Sequence, residues 1–296
     1  MATNEILHYE QGLVETIGND SDPLFYLFDY DVRSFDINME FQHFHRFYEI
    51  HILIDKDAEH LVDGALFPLR QYDITLLPPL KLHKSIYPEG SPVRRLIIDF
   101  SIPEEANPLL NEETNRLLSV FYADPPVLRF NESEQKEIFF HINEICDLLK
   151  HKAPGYMLQV HTEFIRFLYC LNKYAPKNIY KQVKENTLEE KIYQVTSYIH
   201  AHFAEELSLE FLSQTFYISP YYLSHQFKAI TGFNLVNYIQ MTRIRNAQQM
   251  LLSGKAKITD ISIACGFNSF SQFNRTFNKL VGKSPSDFKK NAIQAL

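Results

Sequence analysis

Residues 207–290 contain an internal repeat, and no other feature of the chain limits its fold as much. The stretches LSLEFLSQTFYISPYYLSHQFK and KITDISIACGFNSFSQFNRTFN align with Leu209 over Ile258, Leu212 over Ile261 and Ser213 over Ser262. After one extra residue in the second turn, Ser219 lies over Ser269, Leu223 over Phe273 and Phe227 over Phe277. A duplicated pattern of short helix, tight turn and second helix predicts two copies of one supersecondary unit, at 207–230 and 257–280.

In the first copy Ser208 can cap a helix whose Leu209 and Leu212 face inward, and the small Ser213 lets the partner helix approach. Ser219 caps the second helix, with Pro220 at its first position, where a missing N–H costs nothing. Leu223 and Phe227 anchor that helix, leaving Tyr221, Tyr222, Ser224, His225 and Lys228 to face outward. In the second copy Gly266-Phe267 forms the turn, Asn268 or Ser269 caps, and Phe270, Ser271, Gln272 and Arg275 face out. Polar and cationic side chains near the start of such a helix are placed to reach base edges in a major groove.

Between the copies, NLVNYIQMTRIRNAQQMLLSG reads as one helix of about eighteen residues, with Leu235, Tyr238, Ile244, Ala247 and Leu251 on one stripe and Gly254 just past its end. At roughly 1.5 Å per residue it is about 27 Å long, enough to hold two recognition helices near the ~34 Å repeat of the groove. Arg243 and Arg245 lie off the stripe and are candidates for phosphate contacts. Ser284-Pro285-Ser286-Asp287 starts a closing helix.

Charge is divided in the same sense. Residues 1–186 hold 18 Lys+Arg against 29 Asp+Glu, a balance of −11, and residues 187–296 hold 11 against 7, a balance of +4, which together return the chain's −7. Only the back part is suited to meet a polyanion. The chain lacks an apolar run of the roughly 20 residues that cross a bilayer and opens on MATNEILHYE, which is unlike a secretion signal, so a cytoplasmic location is expected. Cys146, Cys170 and Cys265 match no metal-ligand spacing, which fits a reducing compartment.

The front reads differently. LFYLFDY, FYEIHILI, YDITLL and RRLIIDF are short, aromatic and β-branched runs punctuated by Pro and Gly, the pattern of a sandwich or small barrel over about 24–100. From about 131 the period becomes helical: Ile138, Ile142, Ile145 and Leu149 recur at four, three and four, and Phe164, Phe167, Leu168 and Leu171 follow after Pro154-Gly155. The fold expected is therefore α+β and multidomain.

Residues 188–290 resemble the AraC/XylS transcriptional regulators. The resemblance rests on Ser219-Pro220, Leu223-Ser224, Phe227-Lys228, Gly232, Tyr238, Arg243-Ile244, Ala247, Leu251-Leu252, Gly266-Phe267, Phe273, Arg275, Phe277, Gly282, Ser284-Pro285 and Phe288. Ser213 and Ser262 stand where the family usually has Ala, and Phe288 where it often has Tyr. By position the base-reading side chains implied are Tyr221, Ser224 and His225, then Phe270, Ser271, Gln272 and Arg275. The resemblance also implies an activator working with RNA polymerase on promoter DNA, as a homodimer on direct repeats.

Residues 1–105 are similar to the cupin-like, effector-binding barrel of such regulators. His43-Phe-His45-Arg-Phe-Tyr-Glu49 gives H-x-H-x-x-x-E, and His83 follows Pro78. If the strand is continuous, residues 43, 45 and 49 share a face. In metal-dependent cupin enzymes such a set binds a divalent ion, but the glycines usual there are replaced by Ile37 and Leu80. His43, His45, Glu49, His51 and His83 are therefore candidates to hold a small polar effector, a sugar being the first guess, with a divalent metal at His43, His45, Glu49 and His83 and purely structural roles as alternatives. Residues 106–175 resemble the family's dimerisation region, with Phe164, Phe167, Leu168 and Leu171 as candidates either to meet a second chain or to pack on the barrel, and 176–187 read as a linker. No catalytic residue is expected. A metal-dependent cupin enzyme fused to a DNA-binding domain, and a regulator controlled by a protein partner, are the competing functions.

Overall fold

The computed structural model describes residues 6–8, 10–20, 22–33, 43–55, 57–63, 65–90, 92–103, 107–179, 188–252 and 256–294. Its amino-terminal part is built on two antiparallel sheets. Strands β1 (Val14–Ile17), β2 (Phe25–Arg33), β8 (Val93–Ser101), β3 (Tyr48–Leu53), β6 (Ile74–Leu77) and β9 (Val127–Leu128) follow one another, in that spatial order, across the larger sheet. Strands β5 (Ala65–Leu69), β4 (Ala58–Val62) and β7 (His83–Ile86) make the smaller one. The four strand-like runs of the sequence correspond to β2, β3, β6 and β8; β1, β4, β5, β7 and β9 are too short or too polar to stand out.

Register makes the larger sheet two-faced. Glu49 pairs with Asp99 and Leu77, and His51 with Ile97 and Thr75; Asp29 in turn opposes Ile97. Because side chains alternate along a strand, all of these point toward the smaller sheet. The residues between them, Tyr26, Phe28, Ile50, Ile52, Ile98 and Phe100, point the other way and are buried. They form one core with α2 (Glu132–His151) and α3 (Tyr156–Asn178). Helix α1 (Pro108–Leu118) is capped by Asn107, and α2 by a reciprocal pair in which Asn131 and Glu134 each accept the other's backbone N–H.

Two expectations are corrected here. Phe164, Phe167, Leu168 and Leu171 are fully buried in this core, so the stripe serves the sheet of its own chain and is not open to a second one. Residues 176–178 continue α3, the carbonyl of Asn178 accepts from the Arg129 backbone, and Ile179 bridges Leu128, so this part of the expected linker is packed structure. The rest of it, 180–187, lies outside the described residues, as do Gly254 and Ile37.

The carboxyl-terminal part is helical: α4 (Leu188–Ala201), α5 (Leu209–Thr215), α6 (Pro220–Thr231), α7 (Leu235–Leu252), α8 (Ile258–Ala264), α9 (Phe270–Val281) and α10 (Pro285–Gln294). Ser208, Ser219 and Ser269 accept the backbone N–H of Phe211, Tyr222 and Gln272, so three of the expected caps form. The stripe of α7 is divided between two cores. Leu235 and Tyr238 join Leu212, Leu223 and Phe227, whereas Ile244, Ala247 and Leu251 join Ile261, Phe273 and Phe277. One helix thus belongs to both helix pairs and fixes their separation. Among the described residues no helix is long and apolar enough to cross a membrane.

Candidate functional site

Helices α6 and α9 expose matching faces. Tyr221 is 82 % and Phe270 41 % exposed, and Ser224, His225, Lys228, Ser271 and Arg275 are exposed with them. Neither helix contains an acidic residue, and Lys228, Arg275 and Lys279 are cationic. Each face is held by its core: Leu223 and Phe227 fix α6, and Phe273 and Phe277 fix α9. The turn before each is built alike, with Ile218 N donating to Ser213 O and Phe267 N to Ser262 O. The left-handed position this turn needs is filled by Tyr217 (φ 54) in one copy and Gly266 (φ 77) in the other.

Three of the outward assignments change. Tyr222 is half-buried and packs on the first core. Arg243 donates to the carbonyls of Phe203 (2.8 Å) and Glu205 (2.7 Å). Arg245 is buried and pairs with Asp63 of the β4–β5 turn. Both arginines are spent inside the chain, which a reading of helix faces cannot foresee because their partners lie far away in sequence. Gln272 is partly buried near the start of α9.

A second site lies between the two sheets, a pocket of about 380 Å³. Strand β3 does not extend back to His43: it begins at Tyr48, and residues 44–47 lie outside any strand, with a bend at 46–47. His43 and His83 nonetheless exchange backbone hydrogen bonds (both 2.9 Å), which brings their rings to 4.2 Å between centroids. Leu80, in the left-handed region at φ 64, makes the turn before β7 at one of the positions where metal-dependent cupin enzymes usually have glycine.

Glu49 Oε2 lies 3.0 Å from His45 Nε2 and 3.4 Å from His83 Nε2. His45 Nδ1 faces the carbonyl of Phe47 and His83 Nδ1 that of Lys81, both at 2.8 Å. Those nitrogens donate, so the Nε2 atoms are turned into the pocket. The two histidines hold the Glu49 carboxyl well below the usual range, against the opposing effect of its burial. Its cross-strand neighbour Asp99 is pushed up to about 8, by burial first and by the Glu49 charge second. His43 is pushed down to about 4 by burial, then by His83.

The sequence reading missed several pocket groups. Arg95 reaches Asp29 at 2.9 Å, and Arg33, Tyr87 and Asp99 also line the cavity. Alternation was the available signal: Arg95 and Asp99 are charged residues on the face of β8 that also carries Ile97. His51 sits beneath the cavity rather than in its lining, 3.3 Å from the Tyr87 hydroxyl and ring to ring with the buried His60 (4.4 Å). Burial pushes His51 down to about 3.

Donor atoms of His43, Glu49 and His83 all lie within 4.8 Å of one another, as do those of His45, Glu49 and Asp99. Imidazole and carboxylate together suit a divalent transition ion, and a ligating imidazole ordinarily gives its other N–H to a carbonyl, as His45 and His83 do here. The residues fit such a group. All three cysteines are buried, and burial pushes Cys265 up to about 11, so none is poised as a reactive thiolate.

Residues 212–291 match the family model described as a helix-turn-helix domain. Among curated proteins, the chain is 34 % identical over 96 residues to the uncharacterized HTH-type transcriptional regulator YijO of Escherichia coli K12, covering 32 % of this chain and 34 % of that protein. It is 36 % identical over 96 residues to the bifunctional transcriptional activator/DNA repair enzyme AdaA of Bacillus subtilis, covering 32 % and 46 %. The chain thus spans less than half the length of these relatives. Among solved structures, an apo variant of ToxT from Vibrio cholerae is 14 % identical, covering 90 % of this chain and 97 % of that one with a TM-score of 0.36.

Proposed function

We propose that this chain is a sequence-specific, DNA-binding transcription regulator that responds to a small molecule held between its two sheets. The observation that carries the reading is the pair of acid-free faces on α6 and α9, each set by its own core and joined through α7, over a stretch that matches a helix-turn-helix model. In this reading α5–α6 and α8–α9 are the two helix-turn-helix units. Tyr221, Ser224, His225, Ser271, Gln272 and Arg275 meet base edges, Phe270 meets apolar base surface such as a thymine methyl, and Lys228 meets a phosphate. One chain occupies two successive major grooves, and a homodimer brings four such helices to direct repeats at a promoter, where it acts with RNA polymerase as an activator.

The pocket is the effector site of a cupin-like unit. Its alternating cationic and anionic groups, together with the Tyr87 hydroxyl, can share hydrogen bonds with a polyhydroxylated molecule such as a sugar. A divalent metal is a second occupant supported by the inward Nε2 atoms of His45 and His83. It would be held by His43, Glu49 and His83 or by His45, Glu49 and Asp99, the two sets whose donor atoms lie together, and would supply a cationic anchor for an effector oxygen.

Fluorescence anisotropy of the full chain with duplexes from its own upstream region tests the DNA reading. Binding that prefers the upstream region over a scrambled duplex of equal composition at moderate salt is expected. Equal binding to both overturns it.

A further inference from the structure

The lining of the pocket and the contact with the helical part are made by the same short segments. Along residues 43–47 the side chains divide: His43, His45 and Phe47 line the pocket, whereas Phe44 packs on the core shared by α5, α6 and the start of α7. The Arg46 guanidinium sits 4.5 Å from the ring centroid of Phe288, which belongs to the core of α8 and α9. The second segment repeats the division. His83 faces the pocket, the buried Leu82 belongs to the first helical core, and Lys81 reaches Asp63 at 2.7 Å.

Asp63 is the centre of the polar part of this contact. Its backbone N–H donates to Leu82 O (2.8 Å), and its carboxylate takes Lys81 and Arg245, with His200 Nδ1 at 3.7 Å. His200 is fixed in turn through Nε2 to the Tyr238 hydroxyl (2.8 Å). Arg245 is 8 % exposed, so a cation of the spacer helix is neutralised by a carboxylate of the acidic part of the chain. Held by this carboxylate, Arg245 is not available to a phosphate, which would compete for the same charge. Phe44 on one helix pair and Arg46 on the other also tie both to a single segment, while a duplex would impose its own spacing on them.

We propose that Asp63 and Arg245, with Phe44 and Leu82 beside them, form a clasp that restrains the helical part from binding DNA. This rests on the DNA-binding reading above and adds its regulation. Because the clasp residues alternate with pocket residues, a group entering the pocket shifts the backbone that carries them. Removing Asp63 leaves the buried Arg245 without its anion and takes the partner from the half-exposed Lys81, which favours separation of the two parts. Removing the Phe44 ring weakens the same contact without touching charge.

The test is the affinity of full-length D63N and F44A for the chain's own upstream duplex, together with the radius of gyration from small-angle scattering. D55N is the control, because Asp55 pairs with Arg94 within the amino-terminal part and loses the same charge away from the contact. We expect D63N and F44A each to bind about five- to tenfold more tightly with a larger radius of gyration, and D55N to match the wild type. Wild-type binding that is specific, with both variants equal to it or weaker, overturns the clasp and leaves the DNA reading standing. Tightening by D55N as large as that by D63N also overturns it, since loss of charge alone then suffices. Absence of specific binding by wild type and variants alike overturns the DNA reading itself.

Discussion

Glu49 and Asp99 face each other directly across β3 and β8, two carboxyls on one register pair in a buried site. The sheet brings them together and His45 and His83 decide between them, because both histidines lean on Glu49. Burial first, and the Glu49 charge second, make Asp99 hold its proton up to about 8, whereas an unfolded aspartate loses it near ~3.9. Between those values the folded state binds the extra proton, so stability falls as pH rises, by at most about 1.4 kcal/mol per unit. Chemical denaturation across pH 4–8 should show this loss in the wild type and a flatter profile in Asp99→Asn, which keeps the shape without the titration. An unchanged slope in the variant would contradict a protonated Asp99 beside an ionised Glu49.

Replacing Arg275 removes an exposed cation from the face of α9 without touching Phe273 or Phe277. Arg275→Ala should cost about 1–3 kcal/mol of specific DNA affinity and relax discrimination at one base position. Tyr222→Ala, on the half-buried side of α6, should instead lower thermal stability. Competition binding with single-base variants of the site, alongside thermal melts, separates the two effects.

Phe167 is fully buried against the larger sheet. Phe167→Ala should cost about 3–5 kcal/mol of stability through lost burial and a cavity. Sedimentation of the folded fraction should give the same oligomeric state as the wild type. Dissociation with unchanged stability would instead return this stripe to a subunit interface.

Gly266 and Gly282 both sit at positive φ, 77° and 73°, but their surroundings differ. A Cβ on Gly266 would come within 2.6 Å of the Ala204 carbonyl oxygen, while one on Gly282 would meet nothing within 4 Å. Gly282→Ala should cost only the left-handed backbone penalty, about 1 kcal/mol, and Gly266→Ala clearly more, because backbone must move. Equal melting temperatures for the two variants would show that this turn does not pack as described.

The helical part was legible because its signals are local. Ser208, Ser219 and Ser269 cap helices a few residues away, and the stripe of α7 is set by its own period. The pocket was legible at His43, His45 and Glu49, which cluster, and at His83. Arg95 and Asp99 were missed because their role depends on β8 lying beside β3, nearly fifty residues earlier. Arg243 and Arg245 were misassigned for a related reason: a helical wheel gives the direction of a side chain, and the carbonyls and the carboxylate that receive these two come from other elements. Phe164, Phe167, Leu168 and Leu171 were legible as an apolar stripe, but periodicity does not name the surface that buries it.

Cleavage protection of the chain's own upstream DNA by the full-length protein bears most directly on two units spaced by α7. Two protected segments centred about 10 base pairs apart on one face of the duplex are expected for each chain bound, with Ser224→Ala and His225→Ala together clearing one segment and Ser271→Ala with Arg275→Ala the other. A single protected segment cleared by either pair, or no protection beyond that of a scrambled duplex, would contradict the account.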